Sequence, residues 1–219
     1  MLILAFTDIH GSYDTVEKII SSEKSDVIIF GGDITNVGSK KEVELFLNRF
    51  THLNKLIYCI AGNMDLPDHD ELYYEKGIGL SGNGIIYKDV GFFGVSGSSY
   101  TTLNTPYEVD ESTINKKLLS GYLKVLNSKI KILVSHTPPY KTKLDIIKSE
   151  VHVGSKSVRN FIEKYKPEIT ICGHIHEARG LDKLGDTQIV NCGLASQGNY
   201  ARIIIQDSRQ IFIQIRELR

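Results

Sequence analysis

The chain reads as a layered α/β protein, on three observations. Short apolar runs rich in isoleucine and valine recur along it, helical stripes separate several of them, and the last runs follow one another with no helix between. Runs that are apolar throughout, rather than alternating, mark strands buried on both faces. Strands alternating with helices build one sheet, and the late strands give a mixed or second sheet.

Residues 2–6 form the first run, and Asp14 followed by Glu17 resembles a capping box for a helix with Val16, Ile19 and Ile20 inside. After the run at 27–30, Ser39 and Glu42 make a cleaner box, followed at helical spacing by Val43, Phe46, Leu47 and Phe50. The run at 56–61 completes a βαβαβ front half. Residues 85–97 alternate strand-like pieces around Asp89 and read as a hairpin. Leu119, Tyr122, Leu123 and Leu126 supply the next stripe, ahead of a run at 130–134. Ser155 starts a helix carrying Val158, Phe161, Ile162 and Tyr165, which Pro167 stops. The remaining runs are 169–172, 189–190, 203–205 and 211–215. No repeat, low-complexity tract or linker interrupts this order, so residues 1–219 read as a single domain. The longest irregular segments, 98–110 and 137–154, are placed to border a functional site.

Composition narrows the function. Lysine plus arginine number 26, aspartate plus glutamate also 26, and this zero net charge argues against nucleic-acid coating and against a polybasic membrane-surface protein. The three cysteines, Cys59, Cys172 and Cys192, are few, odd in number and far apart, which suits buried thiols in a reducing compartment. The apolar start ends at Asp8 without a basic flank, and no run approaches the ~18 residues of a membrane helix. The expected location is cytoplasmic.

Chemistry gathers where the strands end. Asp8-Ile9-His10 follows the first run, Gly31-Gly32-Asp33 the second, and Gly62-Asn63-Met64-Asp65 the third. Ser135-His136 follows the run at 130–134, and Gly173-His174-Ile175-His176 the one at 169–172. Open α/β sheets bind ligands at the carboxyl ends of their strands, so these five points belong to one crevice. Carboxylate, amide oxygen and imidazole together suit Mn²⁺, Fe, Zn²⁺ or Co²⁺ better than a thiolate-loving ion. A lone histidine at a strand end is more often a capping or core imidazole. Chance alone supplies a Gly-His-x-His only on the order of 0.02 times in this composition, before the other four motifs are required.

Taken in order, these motifs resemble the calcineurin-like metallophosphoesterases, and among them the small, single-domain phosphodiesterase-like members. The resemblance runs from Asp8 to His176 and implies a two-sheet β sandwich flanked by helices, the four-layer α/β/β/α fold. It implies one metal held by Asp8, His10, Asp33 and His176. A second would be held by Asp33, Asn63, His136 and His174, with Asp33 bridging. The implied cofactors are two divalent ions, Mn²⁺ by expectation, with Fe, Zn, Co or Ni compatible. The implied chemistry is in-line attack on a phosphate ester by a hydroxide shared between the metals. Four positive charges, less two from Asp8 and Asp33 and one from hydroxide, leave a local anion trap in a neutral protein. The partner is then a small phosphorylated substrate, with nucleic acid disfavoured, no membrane, and a homo-oligomer left open.

One position departs from the family pattern. Its third motif usually reads Gly-Asn-His-Asp/Glu, with the histidine protonating the leaving group or contacting phosphate, and here Met64 stands in that place. Methionine has no proton to give, and a missing general acid typically costs ~10²–10⁴ in rate for a poor leaving group. The expectation is therefore a phosphodiesterase more than a monoesterase, favouring phosphodiesters or aryl-type esters over alkyl monoesters. His152, just before the helix starting at Ser155, is the candidate replacement acid beside a helix N-terminus that could hold phosphate; the plainer reading is an exposed loop histidine. Asp65, with no histidine next to it, is expected to brace the Asn63 loop through backbone N–H groups. His69 is expected at a solvated helix start, His52 has no assigned role, Arg159 reads as a solvated face, and Arg179 is a weak candidate phosphate clamp. The competing functions are a metal-dependent nuclease, against which the zero charge stands, and a non-catalytic scaffold of the same fold, against which the seven intact ligand positions stand.

Overall fold

A computed structural model describes residues 1–53, 55–207 and 210–218. Strands β1 (Leu2–Phe6), β2 (Val27–Gly31) and β3 (Leu56–Ile60) run parallel. Strands β10 (Asn199–Asp207) and β11 (Gln210–Glu217) add antiparallel to β1, giving the order β11-β10-β1-β2-β3. The second sheet contains β4 (Gly84–Tyr87), β5 (Val90–Val95), β6 (Ile130–Ser135), β7 (Ile169–Cys172), β8 (Gly180–Leu184) and β9 (Thr187–Asn191), in the order β4-β5-β6-β7-β9-β8. Helices α1 (Tyr13–Ser22), α2 (Lys40–Asn48) and α3 (His69–Glu75) pack beside the first sheet, and α4 (Glu111–Lys124) and α5 (Lys156–Tyr165) beside the second.

Side-chain alternation explains the unbroken apolar runs. In β1 and β2, Ile3, Ala5, Val27 and Ile29 face the other sheet and meet Phe92, Ile132, Val134 and Ile171. Their neighbours Leu4, Phe6, Ile28 and Phe30 face α1 and α2, against Val16, Ile19, Val43 and Phe46. Both faces are covered, so no polar residue is tolerated on either. The result is the four-layer sandwich, with the second outer layer formed by Ile114, Leu118, Val158, Phe161 and Ile162 over Phe93 and Leu133. All three cysteines are buried free thiols.

Some local expectations are corrected. Asp14 does not cap α1: the cap position is Ser12, and Asp14 and Glu17 instead both accept hydrogen bonds from Arg49, at 2.6 and 3.0 Å. The Ser39 cap does form, its hydroxyl accepting from the Glu42 N–H. In α4 the buried face is Ile114, Leu118 and Gly121, while Leu123 and Leu126 are 55% and 47% exposed. Helix α4 starts earlier than the leucine spacing suggests, at the Asp110 cap, and that start selects the face. Strand β8 carries no clear apolar pattern, and the sequence does not announce it, whereas α3 begins at the helix start expected at His69.

Candidate metal centre

Four of the seven proposed ligands leave their strands in a conformation the loops must hold. Asp8, His10, Asp33 and His174 all have positive φ, between 47° and 68°. Non-glycine residues pay about 1–3 kcal/mol each for such geometry, and it clusters at functional sites. Here the β1 and β2 loops enforce it on one another: Asp8 N–H donates to Gly32 O, Ile9 and His10 N–H both donate to Asp33 O, and Gly11 N–H donates to Ile34 O. The motif glycines are small because the site is crowded. A Cβ on Gly173 would overlap Asp8 Oδ2, and one on Gly62 would overlap Asp33 Oδ1.

The five loops bring all seven side chains into one cluster. His176 Nε2 lies 3.4 Å from Asp8 Oδ1 and 3.4 Å from His10 Nε2. Asp33 Oδ2 lies 3.7 Å from His10 Nε2 and 3.3 Å from His136 Nε2, between the two imidazole sets. Asn63 Oδ1 is 3.0 Å from His136 Nε2 and 2.7 Å from His174 Nδ1. Within the triplets Asp8, His10, His176 and Asp8, Asp33, His136 the potential donor atoms lie within 4.8 Å of one another. Metal–ligand bonds of about 2.0–2.2 Å place opposite donors roughly 4 Å apart, so the set fits divalent ions with little adjustment.

The charges fit as well. Burial works against the Asp8 carboxylate, yet the hydrogen bond to His176 and the nearby His136 charge bring it down to about 2. Burial disfavours the His136 imidazolium, but Asp33 beside it raises its pKa to about 9. His174 falls to about 3, because burial and the His136 charge both oppose its protonation. The cluster thus holds compensating positive charge against its two carboxylates, a role that a bound cation takes over as it displaces protons.

A surrounding set of bonds orients these groups, and most of it was not visible in the sequence. His10 Nδ1 meets Asn36 Oδ1 at 2.7 Å and His136 Nδ1 meets Gly31 O at 3.0 Å, which turns each Nε2 inward. Buried Asp65 accepts from Ile34, Thr35 and Gly62 N–H and from the Thr35 hydroxyl, tying the β2 and β3 loops together. His69 is fully buried at the start of α3, with Nδ1 3.7 Å from Asp65 and Nε2 3.0 Å from Gly38 O, and so is not solvated. Asp70 joins two arms: Ser96 Oγ donates to it and accepts from Ala61 N–H, and Tyr107 O–H donates to it while Tyr107 N–H donates to Asn63 O. Asn36, spaced three residues after Asp33, was the one partner that motif spacing could have flagged.

His152 is paired with a carboxylate of its own loop. Its Nδ1 lies 2.7 Å from Asp145 Oδ1, and its ring stands edge-on to Tyr140 at 6.0 Å. Buried Asp145 also accepts from Lys141, Thr142 and Gly154 N–H, so it is the hub of loop 137–154. The α5 N-terminus is not free for phosphate either, because Glu111 accepts from Lys156 N–H, Ser157 N–H and the Ser155 hydroxyl. Arg159 donates to Tyr140 O and Lys141 O, and Arg179 to Arg216 O, so both brace backbone.

Known proteins are similar to this chain in sequence or in fold. The sequence matches the calcineurin-like phosphoesterase family over residues 1–178. An uncharacterised protein of Methanocaldococcus jannaschii is 37% identical over 196 residues, covering 87% of each chain. A probable glycerophosphodiester phosphodiesterase of Arcobacter nitrofigilis is 26% identical over 164 residues, covering 70% of this chain and 57% of its own. The fold superposes on a dimetal phosphatase of Danio rerio with a TM-score of 0.69, at 10% identity, over 99% of this chain and 96% of that one. With the motifs, their order and the sandwich that gathers them all in place, the chain belongs to the calcineurin-like phosphoesterase family.

Proposed function

We propose that this phosphoesterase is a dinuclear enzyme acting on phosphodiesters. In this reading Asp8, His10, Asp33 and His176 hold one divalent ion, and Asp33, Asn63, His136 and His174 hold the other. The observation that carries it is the position of Asp33 Oδ2, within 3.7 Å of His10 Nε2 and 3.3 Å of His136 Nε2, where a shared ligand must stand. Oxygen and imidazole donors suit Mn²⁺, with Fe, Zn, Co and Ni also compatible. Bound ions supply a water of lowered pKa and positive charge for phosphate oxygens. The chain orients them: Asn36 and Gly31 O fix two imidazoles, and Asp65 fixes the loop ends.

Diester preference follows from Met64. Its N–H donates to Asp33 Oδ1 at 2.7 Å, but its side chain brings no acid. His152, engaged with Asp145, is left outside the proposed chemistry. The leaving group must then depart as a stabilised anion. The Mn²⁺-loaded protein is expected to carry two ions per chain by elemental analysis, to lose activity to a chelator and regain it with Mn²⁺. It is also expected to hydrolyse bis(4-nitrophenyl) phosphate faster than an alkyl monophosphate. Fewer than one ion per chain sinks the metalloenzyme reading, and faster monoester hydrolysis sinks the diester preference.

A further inference from the structure

A cavity of about 370 Å³ opens beside the metal centre, with His174 in its wall. The other lining residues come from the two long loops: Ser98, Ser99, Tyr100, Thr101 and Thr102 from one, Thr137 and Val153 from the other. No Asp, Glu, Lys or Arg is among them. Three of the hydroxyls are engaged inward, Ser98 donating to Ser99 O, Thr101 to Glu108 and Thr137 to Gly97 O, which leaves those of Ser99 and Thr102 to face a ligand.

The rim is apolar where solvent would favour charge. Tyr100 is 71% exposed and Val153 37%. With Leu103 and Val151 on the same loops, these are four of the twelve exposed large apolar side chains among the described residues. Tyr100 and Val153 are the two of these that line the cavity, and exposed apolar groups gathered at a pocket mouth mark a binding surface rather than scatter. The wall is also rigid. Glu108 accepts from the N–H and hydroxyl groups of both Thr101 and Thr105, and Ser98 pairs through its backbone with Tyr107 and Val109. A preformed wall loses little freedom when a ligand arrives.

Resting on the phosphodiesterase reading, we infer that this cavity receives an uncharged, flat ring group of the ester, with Tyr100 as the residue that selects it. The lining offers a cationic headgroup no carboxylate and an anionic one no ammonium or guanidinium. A planar group gains from stacking on the exposed phenol ring and from contact with Val153, while its polar edges meet hydroxyl oxygens.

Calorimetric titration of the Mn²⁺-loaded protein tests this with four probes: inorganic phosphate, methylphosphonate, phenylphosphonate and 2-aminoethylphosphonate. Phenylphosphonate is expected to bind at least ~5-fold more tightly than methylphosphonate, the low end of what aromatic stacking supplies. The aminoethyl compound is expected to show no such gain. In Tyr100→Ala the phenyl-to-methyl ratio should fall below about twofold, with phosphate affinity within about twofold of the parent, since only the stacking surface is removed. Val153→Asp should lower the ratio by placing charge on the wall. Equal binding of phenyl and methyl probes by the parent overturns the inference, as does a ratio that both variants leave intact or a preference for the aminoethyl probe. If none of the four binds, phosphate included, the phosphoester reading has failed and this inference with it.

Discussion

Replacing Asp33 by Asn is expected to lower kcat/KM for a diester by at least ~10³-fold, the upper range for removing one preorganised electrostatic group. The substitution is chosen for what it keeps. Asparagine retains a carbonyl oxygen that can still accept the Met64 N–H, now bonded to Asp33 Oδ1 at 2.7 Å, so the crossing of the β2 and β3 loops survives. What disappears is the charge on Oδ2, the atom between His10 and His136. Only two carboxylates, Asp8 and Asp33, belong to the proposed ligand set, so half of its negative charge is lost. Metal content should drop from two ions to one or none per chain, measured by elemental analysis after Mn²⁺ loading and desalting. Two retained ions with activity within tenfold of the parent would remove Asp33 from its bridging role.

The clustering of the proposed ligands is legible in the sequence because it obeys local rules. Runs such as 2–6 and 27–30 are apolar throughout because both faces are covered, so the polar residues that follow mark the strand ends. Glycine before Asp33, Asn63 and His174 gives those residues room. What stayed hidden depends on residues distant in sequence. Asp145 looks like any loop aspartate until loop 137–154 folds round it, and burial with several donors then makes it the hub. The Asp70 network needs α3, the 98–110 loop and the segment after β5 to meet, and no spacing announces that. His69 has charged neighbours, Asp68 and Asp70, which suggest solvent; the buried Asp65 one helical turn away offers it a charged partner instead. The exposed Leu123 of α4, and Leu126 just beyond its end, show how a leucine spacing misleads once the cap at Asp110 sets the helix start.

A test of that crowding removes no chemical group at all. Gly62→Ala adds one methyl group, and Gly62 is not held in the left-handed region, so the backbone itself tolerates alanine. The new Cβ would overlap the Asp33 Oδ1 and backbone N and lie 2.7 Å from Asp33 Cγ. One of these neighbours is main chain, held by Ile9 and His10 through Asp33 O, so relief must come by moving the Asp33 carboxylate or parting the β2 and β3 loops. Overpacking of this kind costs ~1–3 kcal/mol, which in a chain of this size lowers Tm by roughly 2–12 °C. The functional loss should be larger than that stability loss implies. A displacement of about 1 Å in a catalytic constellation costs on the order of 10²-fold, and here the displaced group is the proposed shared ligand. Gly91→Ala supplies the control. Its Cβ meets Ser128 Oγ and Val125 Cβ, at the start of β5 and away from the ligand-bearing strand ends, with overlap of similar severity. Both variants should melt earlier by circular dichroism, but only Gly62→Ala should lose Mn²⁺ and diester hydrolysis. Equal loss of metal in both would show that stability, and not the fit of Gly62 against Asp33, governs the site.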